Sequence, residues 1–333
     1  MSPTNKQTFA IDHRDLMWSS KTFVLSVLTA FLISMLLYTF MLIASEPAPV
    51  DEAIVSTASA ATAKVVVASE YISPMWAIFV FNSIAALMAS VGTGALLFIH
   101  PLLISDIRMR SGHSRYASLS IDFERMLVPG NRLLQKLAHR MDAGFPYTDA
   151  NSPKEGVWKY CGYSREDYRM LAYMLPFTIP LMIMVVNGIL VGILLAFFIF
   201  NGSLTGFEMF GSKGIFIGVF YNLSYFVVSI VPHGIIEIPA LLLAAAMGYS
   251  FARFQSSEIV RKGLFLGNSY GDLKTDVALV LDTAKEYMLS GYLWKMSAII
   301  LLMLLFAAYM ETYVTLQIVE RVMLELGGFL GTM

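Results

Sequence analysis

The chain has 333 residues, of which 57% are hydrophobic and only 14% charged, more apolar side chain than a soluble domain of that size can bury. With a net charge of -1 and a mean hydropathy of +0.65 it has no basic footprint for nucleic acid, which is excluded as a partner, and it reads as an integral membrane protein whose first partner is the lipid bilayer. A single cysteine, Cys161, excludes an internal disulfide and stands in a polar loop with no second ligand for a metal site.

A membrane helix needs about 20 mostly apolar residues. The run from Thr22 to Ala44 meets that requirement. Polar residues precede it and it exceeds the 7 to 15 residues of a signal-peptide core, so it is expected to be a retained first span. Residues 45–74, rich in Ala, Ser, Thr and Val with four acidic residues, are expected to form an outer loop. Met75 to Ile104 is the second span. His100, beside Pro101 at its end, is expected at the interface.

Residues 106–168 form a polar insertion. Its stretch IDFERMLVPGNRLLQKLAHRMDAGF mixes apolar and basic residues at near-helical spacing, as do amphipathic helices on an anionic leaflet or a protein partner. Leu171 to Phe200 is the third span. The next apolar region, Gly214 to Phe251, would be nearly twice the thickness of the membrane core as one straight helix, so a break or re-entrant turn is expected at Pro232, helped by Gly234. A second amphipathic stretch, DLKTDVALVLDTAKEYML, puts Leu273, Val277, Val280, Leu281, Ala284 and Met288 on one face. Leu293 to Val314 is the last span.

Basic residues orient the chain. If the Pro232 region makes one net crossing, segments 1–21, 106–169 and 253–295 lie inside with 3, 11 and 6 Lys plus Arg, against 3 outside. If Pro232 is instead the tip of a full hairpin, the count falls to 15 inside against 8 outside. The positive-inside rule favours the first arrangement, with the N-terminus inside and five net crossings. The expected fold is thus all-α: a polytopic transmembrane bundle of five or six membrane helices, one broken at Pro232, forming a single membrane domain over 1–333.

The apolar region also carries chemistry. In IVPHGIIEIPALLLAAAMGY, His233 and Glu237 lie four residues apart and share a helix face. Glu311 lies in the last span, and Asn82 and Asn187 sit in small-residue-rich helices with Gly92, Gly94, Gly188 and Gly192. An ionisable group at membrane depth costs about 2.5 to 3.5 kcal/mol on insertion scales, so each needs a partner or a cavity. Two readings follow: the polar groups lock helices together, or they form a pocket for an ion, proton or polar substrate. HGIIE lacks the second histidine of a zincin, and neither a GxSxG elbow nor a P-loop is present. No catalytic residue is expected, a single His with one or two carboxylates would make a weak, adaptable metal site at best, and no cofactor is indicated.

PHGIIEIPALLLAAAMGY resembles the signature of the stage II sporulation protein M family of prokaryotic integral membrane proteins, through Pro232, His233, Gly234, Glu237, Pro239 and Ala240. FNSIAALMASVGTGAL around Asn82, VVNGILVGILLAFF with Asn187 and Gly188, and FAAYMETYVT with Glu311 are similar to further landmarks of that family. The long segment 106–168 departs from its pattern. The resemblance implies a multi-pass protein of a prokaryotic cytoplasmic membrane. It also implies partners among membrane or cytosolic proteins, such as cell-envelope enzymes or an ATPase, and says nothing of oligomeric state. Three functions stay open: a membrane scaffold or transport-accessory protein, which is the leading expectation; a permease-like subunit for a peptide, lipid or ion; and an intramembrane metal-dependent enzyme.

Overall fold

The computed structural model describes residues 9–44, 63, 65–126, 130, 135–136, 139–140 and 154–331. Every regular element among them is helical. Most of the outer loop, and the amphipathic stretch of the insertion beyond Met126 apart from isolated positions, lie outside the described residues.

The elements in order are α1 (His13–Ile43), α2 (Pro74–Leu87), a π-helical turn (Met88–Gly92), α3 (Thr93–Leu96), a 3-10 turn (Leu97–Ile99), α4 (His100–Gly112) and α5 (Ser114–Met126). After the insertion come a 3-10 turn (Gly156–Tyr160), α6 (Arg165–Met174), a 3-10 turn (Leu175–Phe177), α7 (Thr178–Phe210), a 3-10 turn (Gly211–Lys213) and α8 (Gly214–Arg261). The chain ends with α9 (Tyr270–Met288), α10 (Gly291–Tyr309), a second π-helical turn (Met310–Thr315) and α11 (Leu316–Gly331).

Four described segments, rather than five or six, are long and apolar enough to cross a membrane: His13–Ile43, Pro74–Gly112, Arg165–Arg261 and Gly291–Phe329. The third contains two long helices, α7 and α8, joined only by the turn Gly211–Lys213.

The expected break at Pro232 is absent. α8 runs unbroken for 48 residues, about 72 Å, with Pro232 and Pro239 both inside it. Each proline removes one backbone hydrogen bond, whereas a full break would orphan up to four donors and four acceptors in a medium without water. Keeping the helix is the smaller cost. The hairpin with its tip at Pro232 is excluded with the break.

The chain divides into two compact units. One comprises residues 13–87, 181–246 and 296–333. Its helices meet through glycine. A Cβ at Gly188 would fall 2.7 Å from Ser26 Cβ, and one at Gly192 would fall 2.9 Å from Ala30 Cβ, so only glycine lets α7 approach α1 so closely. Farther along, Tyr38 of α1 stacks on Phe200 of α7 at 4.3 Å between ring centroids. These contacts advance together in both sequences, so α1 and α7 run parallel. Gly202 and Gly206 of α7 meet Gly218 and Gly214 of α8 respectively. That order is reversed, and the two helices form an antiparallel hairpin.

The other unit comprises residues 1–12, 88–180 and 247–295. Its core is aromatic. His100 Nδ1 lies 3.0 Å from the Tyr168 hydroxyl, its ring stacks on Phe265, and Trp158 tilts against Tyr168. His100 is thus fully buried within the protein. Arg110 lies between Asp106 (Nε to Oδ2, 2.8 Å) and Glu124 (Nη1 to Oε1, 2.6 Å). Cys161 is buried, and desolvation pushes its thiol up to about 11. Phe9 meets Phe251, Phe254 and Tyr287 edge-on, and Tyr287 also stacks on Phe251 at 4.1 Å. α6 and α9 each begin with a capping box, Ser164 with Asp167 and Ser269 with Asp272. α9 buries Leu273, Val277, Val280 and Ala284, so most of the apolar face read from its spacing is covered; Thr283 and Tyr287 join it, while Leu281 and Met288 are half-buried.

Candidate functional site

Three elements of the first unit build one polar site. On α8, the spacing of four puts His233 and Glu237 on the same face. Glu311 comes from the π-helical turn Met310–Thr315, against which α2 packs. One ligand atom from each of His233, Glu237 and Glu311 lies within 4.8 Å of the others, and all three side chains are half-buried. From α2, the Asn82 amide donates to the Glu237 carboxylate.

The π-helical turn has a structural consequence. An inserted residue widens the helix, and such turns recur at functional sites because they re-aim side chains. Here the turn carries Glu311 toward α8 and places Thr315 beside His233, with Thr315 Oγ1 3.4 Å from Nδ1. The Thr315 hydroxyl donates to the Met310 carbonyl at 3.0 Å. Toward the ring it is therefore an acceptor, which favours a proton on Nδ1 and a lone pair on Nε2. Thr315 was not among the residues read as chemical from sequence; its spacing of four from Glu311 was the available signal.

Electrostatically the site is unbalanced. Two carboxylates face each other closely enough to repel, and among the described residues no Lys or Arg reaches either one. Such a group of side chains can hold a proton, a water or a cation; it offers no nucleophile activated by a base.

The remaining residues read from sequence are placed elsewhere. The Asn187 amide donates to the Ile183 carbonyl one turn back at 2.8 Å, a local bond that any helical asparagine can make. Gly188 is a packing residue against α1. Gly234 is buried between Ile230 and Ile238 of its own helix, and Ala240 is fully buried. Pro232 and Pro239 lie on either side of the His233 and Glu237 pair within α8.

Residues 167–316 match the family model described as Stage II sporulation protein M. The matched segment contains His233, Glu237, Glu311, Thr315 and Asn187, while Asn82 lies upstream of it. No curated protein and no solved structure matches the chain.

Proposed function

We propose that the chain, whose residues 167–316 match the family model described as Stage II sporulation protein M, is a permease-like membrane subunit for an ion, with His233, Glu237 and Glu311 as its intramembrane way-station. The observation that carries this reading is the convergence of two carboxylates and an imidazole from two elements, with no Lys or Arg among the described residues in reach of either carboxylate. Donor atoms within 4.8 Å of one another suit one ion rather than a peptide or a lipid. The scaffold role rests on the outer loop 45–74 and on the amphipathic stretches 121–145 and 272–289; most of the first two lie outside the described residues, and the apolar face of the third is largely buried within the chain. The N-terminus is assigned to the inside by the basic-residue count, and the five helices α1, α2 to α4, α7, α8 and α10 to α11 to five crossings.

The test is flux. The full chain is reconstituted in liposomes loaded with dyes for protons, monovalent and divalent cations, beside His233→Gln, Glu237→Gln and Glu311→Gln. The expected result is a cation flux that falls about tenfold or more in each variant, as befits loss of a group acting at the transported ion. Equal flux in wild type and in variants that retain their near-UV spectrum refutes the proposal.

A further inference from the structure

We infer that the ion taken by this site is a divalent first-row transition cation, of the class Mn²⁺, Fe²⁺, Co²⁺ or Zn²⁺. The inference rests on the reading of the site as a way-station for an ion and names what it holds.

Charge is the first argument. Two carboxylates stand together, out of reach of any Lys or Arg among the described residues. Uncompensated negative charge at membrane depth is costly, and a divalent cation cancels both carboxylates at once. The donor set is the second argument. An imidazole with two carboxylates is the mixed nitrogen and oxygen ligation that borderline divalent metals take, whereas Mg²⁺ and Ca²⁺ prefer oxygen throughout and Na⁺ or K⁺ gain little from an imidazole. The third is geometry. Ligand bonds of about 2.0 to 2.2 Å place neighbouring donors of a tetrahedral shell about 3.4 Å apart, so atoms now within 4.8 Å of one another close on an ion through side-chain shifts of about 1 Å or less.

The surrounding groups fit the same assignment. Metal-bound histidines commonly give their other ring N–H to an oxygen acceptor, which fixes the tautomer, and Thr315 Oγ1 occupies that position 3.4 Å from His233 Nδ1. Ligating carboxylates are in turn hydrogen-bonded, as Glu237 is by Asn82. Three protein ligands leave one or more positions open for water or for an acceptor group, which a carrier needs in order to release its cargo.

The experiment uses the full-length protein, purified in detergent with a tag free of histidine, stripped with chelator and titrated with Co²⁺ by visible absorption. Zn²⁺ retained after gel filtration is measured by elemental analysis. The expected result is one ion per chain, affinity rising from Mn²⁺ through Co²⁺ to Zn²⁺, and no competition from millimolar Mg²⁺. His233→Gln, Glu237→Gln and Glu311→Gln are each expected to weaken Co²⁺ binding about 100-fold or more. Thr315→Val, which keeps the side-chain shape and all three ligands, is expected to weaken it about 10-fold. Asn187→Ala is expected to bind as wild type. Absence of Co²⁺ or Zn²⁺ binding by the wild type, or unchanged binding in all three ligand variants and Thr315→Val, overturns the inference. If proton or sodium flux depends on the three residues in a protein that binds no transition metal, the metal falls and the way-station stands. Metal bound as expected without any cation flux upholds the site and removes the transport role.

Discussion

Replacing Gly218 by valine tests the packing of the α7–α8 hairpin. A Cβ at position 218 would stand 2.9 Å from the Gly202 carbonyl carbon and 3.0 Å from Gly206 Cα. Carbon atoms pack at about 3.5 to 4.0 Å, so the helices must part by at least about 0.5 to 1 Å, and a gap of that size already forfeits a quarter to a half of each dispersion contact it opens. The obstructing atoms are backbone and cannot rotate away. The cost therefore belongs at the upper end of the range for overpacking, about 2 to 3 kcal/mol, of which helix propensity returns a few tenths because valine is a better helix former than glycine. The assay is unfolding of the detergent-solubilised protein with SDS, followed by near-UV circular dichroism. Gly327→Ala in α11 is the control, since nothing lies within 4 Å of a Cβ there and only propensity acts, to a gain of up to about 1 kcal/mol. The reasoning fails if Gly218→Val unfolds at the wild-type SDS concentration, or if Gly327→Ala is destabilised as much as Gly218→Val.

Three further outcomes follow from the other unit. The Phe265 N–H donates to Asp276 Oδ2 at 2.7 Å, and Phe265 is a fully buried residue at φ 63°; Asp276→Ala is expected to cost about 1 to 3 kcal/mol in the same unfolding assay, and Asp276→Asn, which keeps an acceptor, to restore most of it. Phe9→Ala removes a ring that contacts three others and is expected to cost about 3 to 5 kcal/mol; a change below 1 kcal/mol would mean that the N-terminal segment does not dock. Cys161, with its thiol near 11, is a thiolate only to about one part in a thousand at pH 8, and its reaction with maleimide is expected to be slow at pH 8, to rise with pH up to about 11, and to become fast once SDS unfolds the protein. Labelling of the folded protein at the rate of free cysteine contradicts its burial.

The membrane-embedded helices were legible because lipid imposes a length and a composition that any 20-residue window reveals. The pairing of His233 with Glu237 was legible for a similar reason, as a local spacing on one helix. What depended on tertiary context was not. Pro232 suggested a break by a rule learned in water, yet within lipid the backbone keeps its remaining hydrogen bonds. Asn187 looked like a member of the polar set, but its own helix offered a nearer acceptor in the Ile183 carbonyl. Thr315 joins His233 across 82 residues, through a π-helical turn for which no periodicity announces itself. The aromatic core around His100, Tyr168 and Phe265 draws on three stretches whose side chains give no shared pattern along the chain.

The two prolines of α8 stand seven residues apart, which is 700° of helical rotation and about 20° short of two full turns. Their missing amides thus leave the carbonyls of Val228 and Ile235 without a helical donor on nearly the same side of the rod. Flexure at the two places is additive in one plane instead of cancelling. The five residues from His233 to Glu237 ride on the short stiff link between these two compliant joints, so a modest swing of either arm changes how far that pair reaches toward the turn bearing Glu311 without disturbing the spacing within the pair itself.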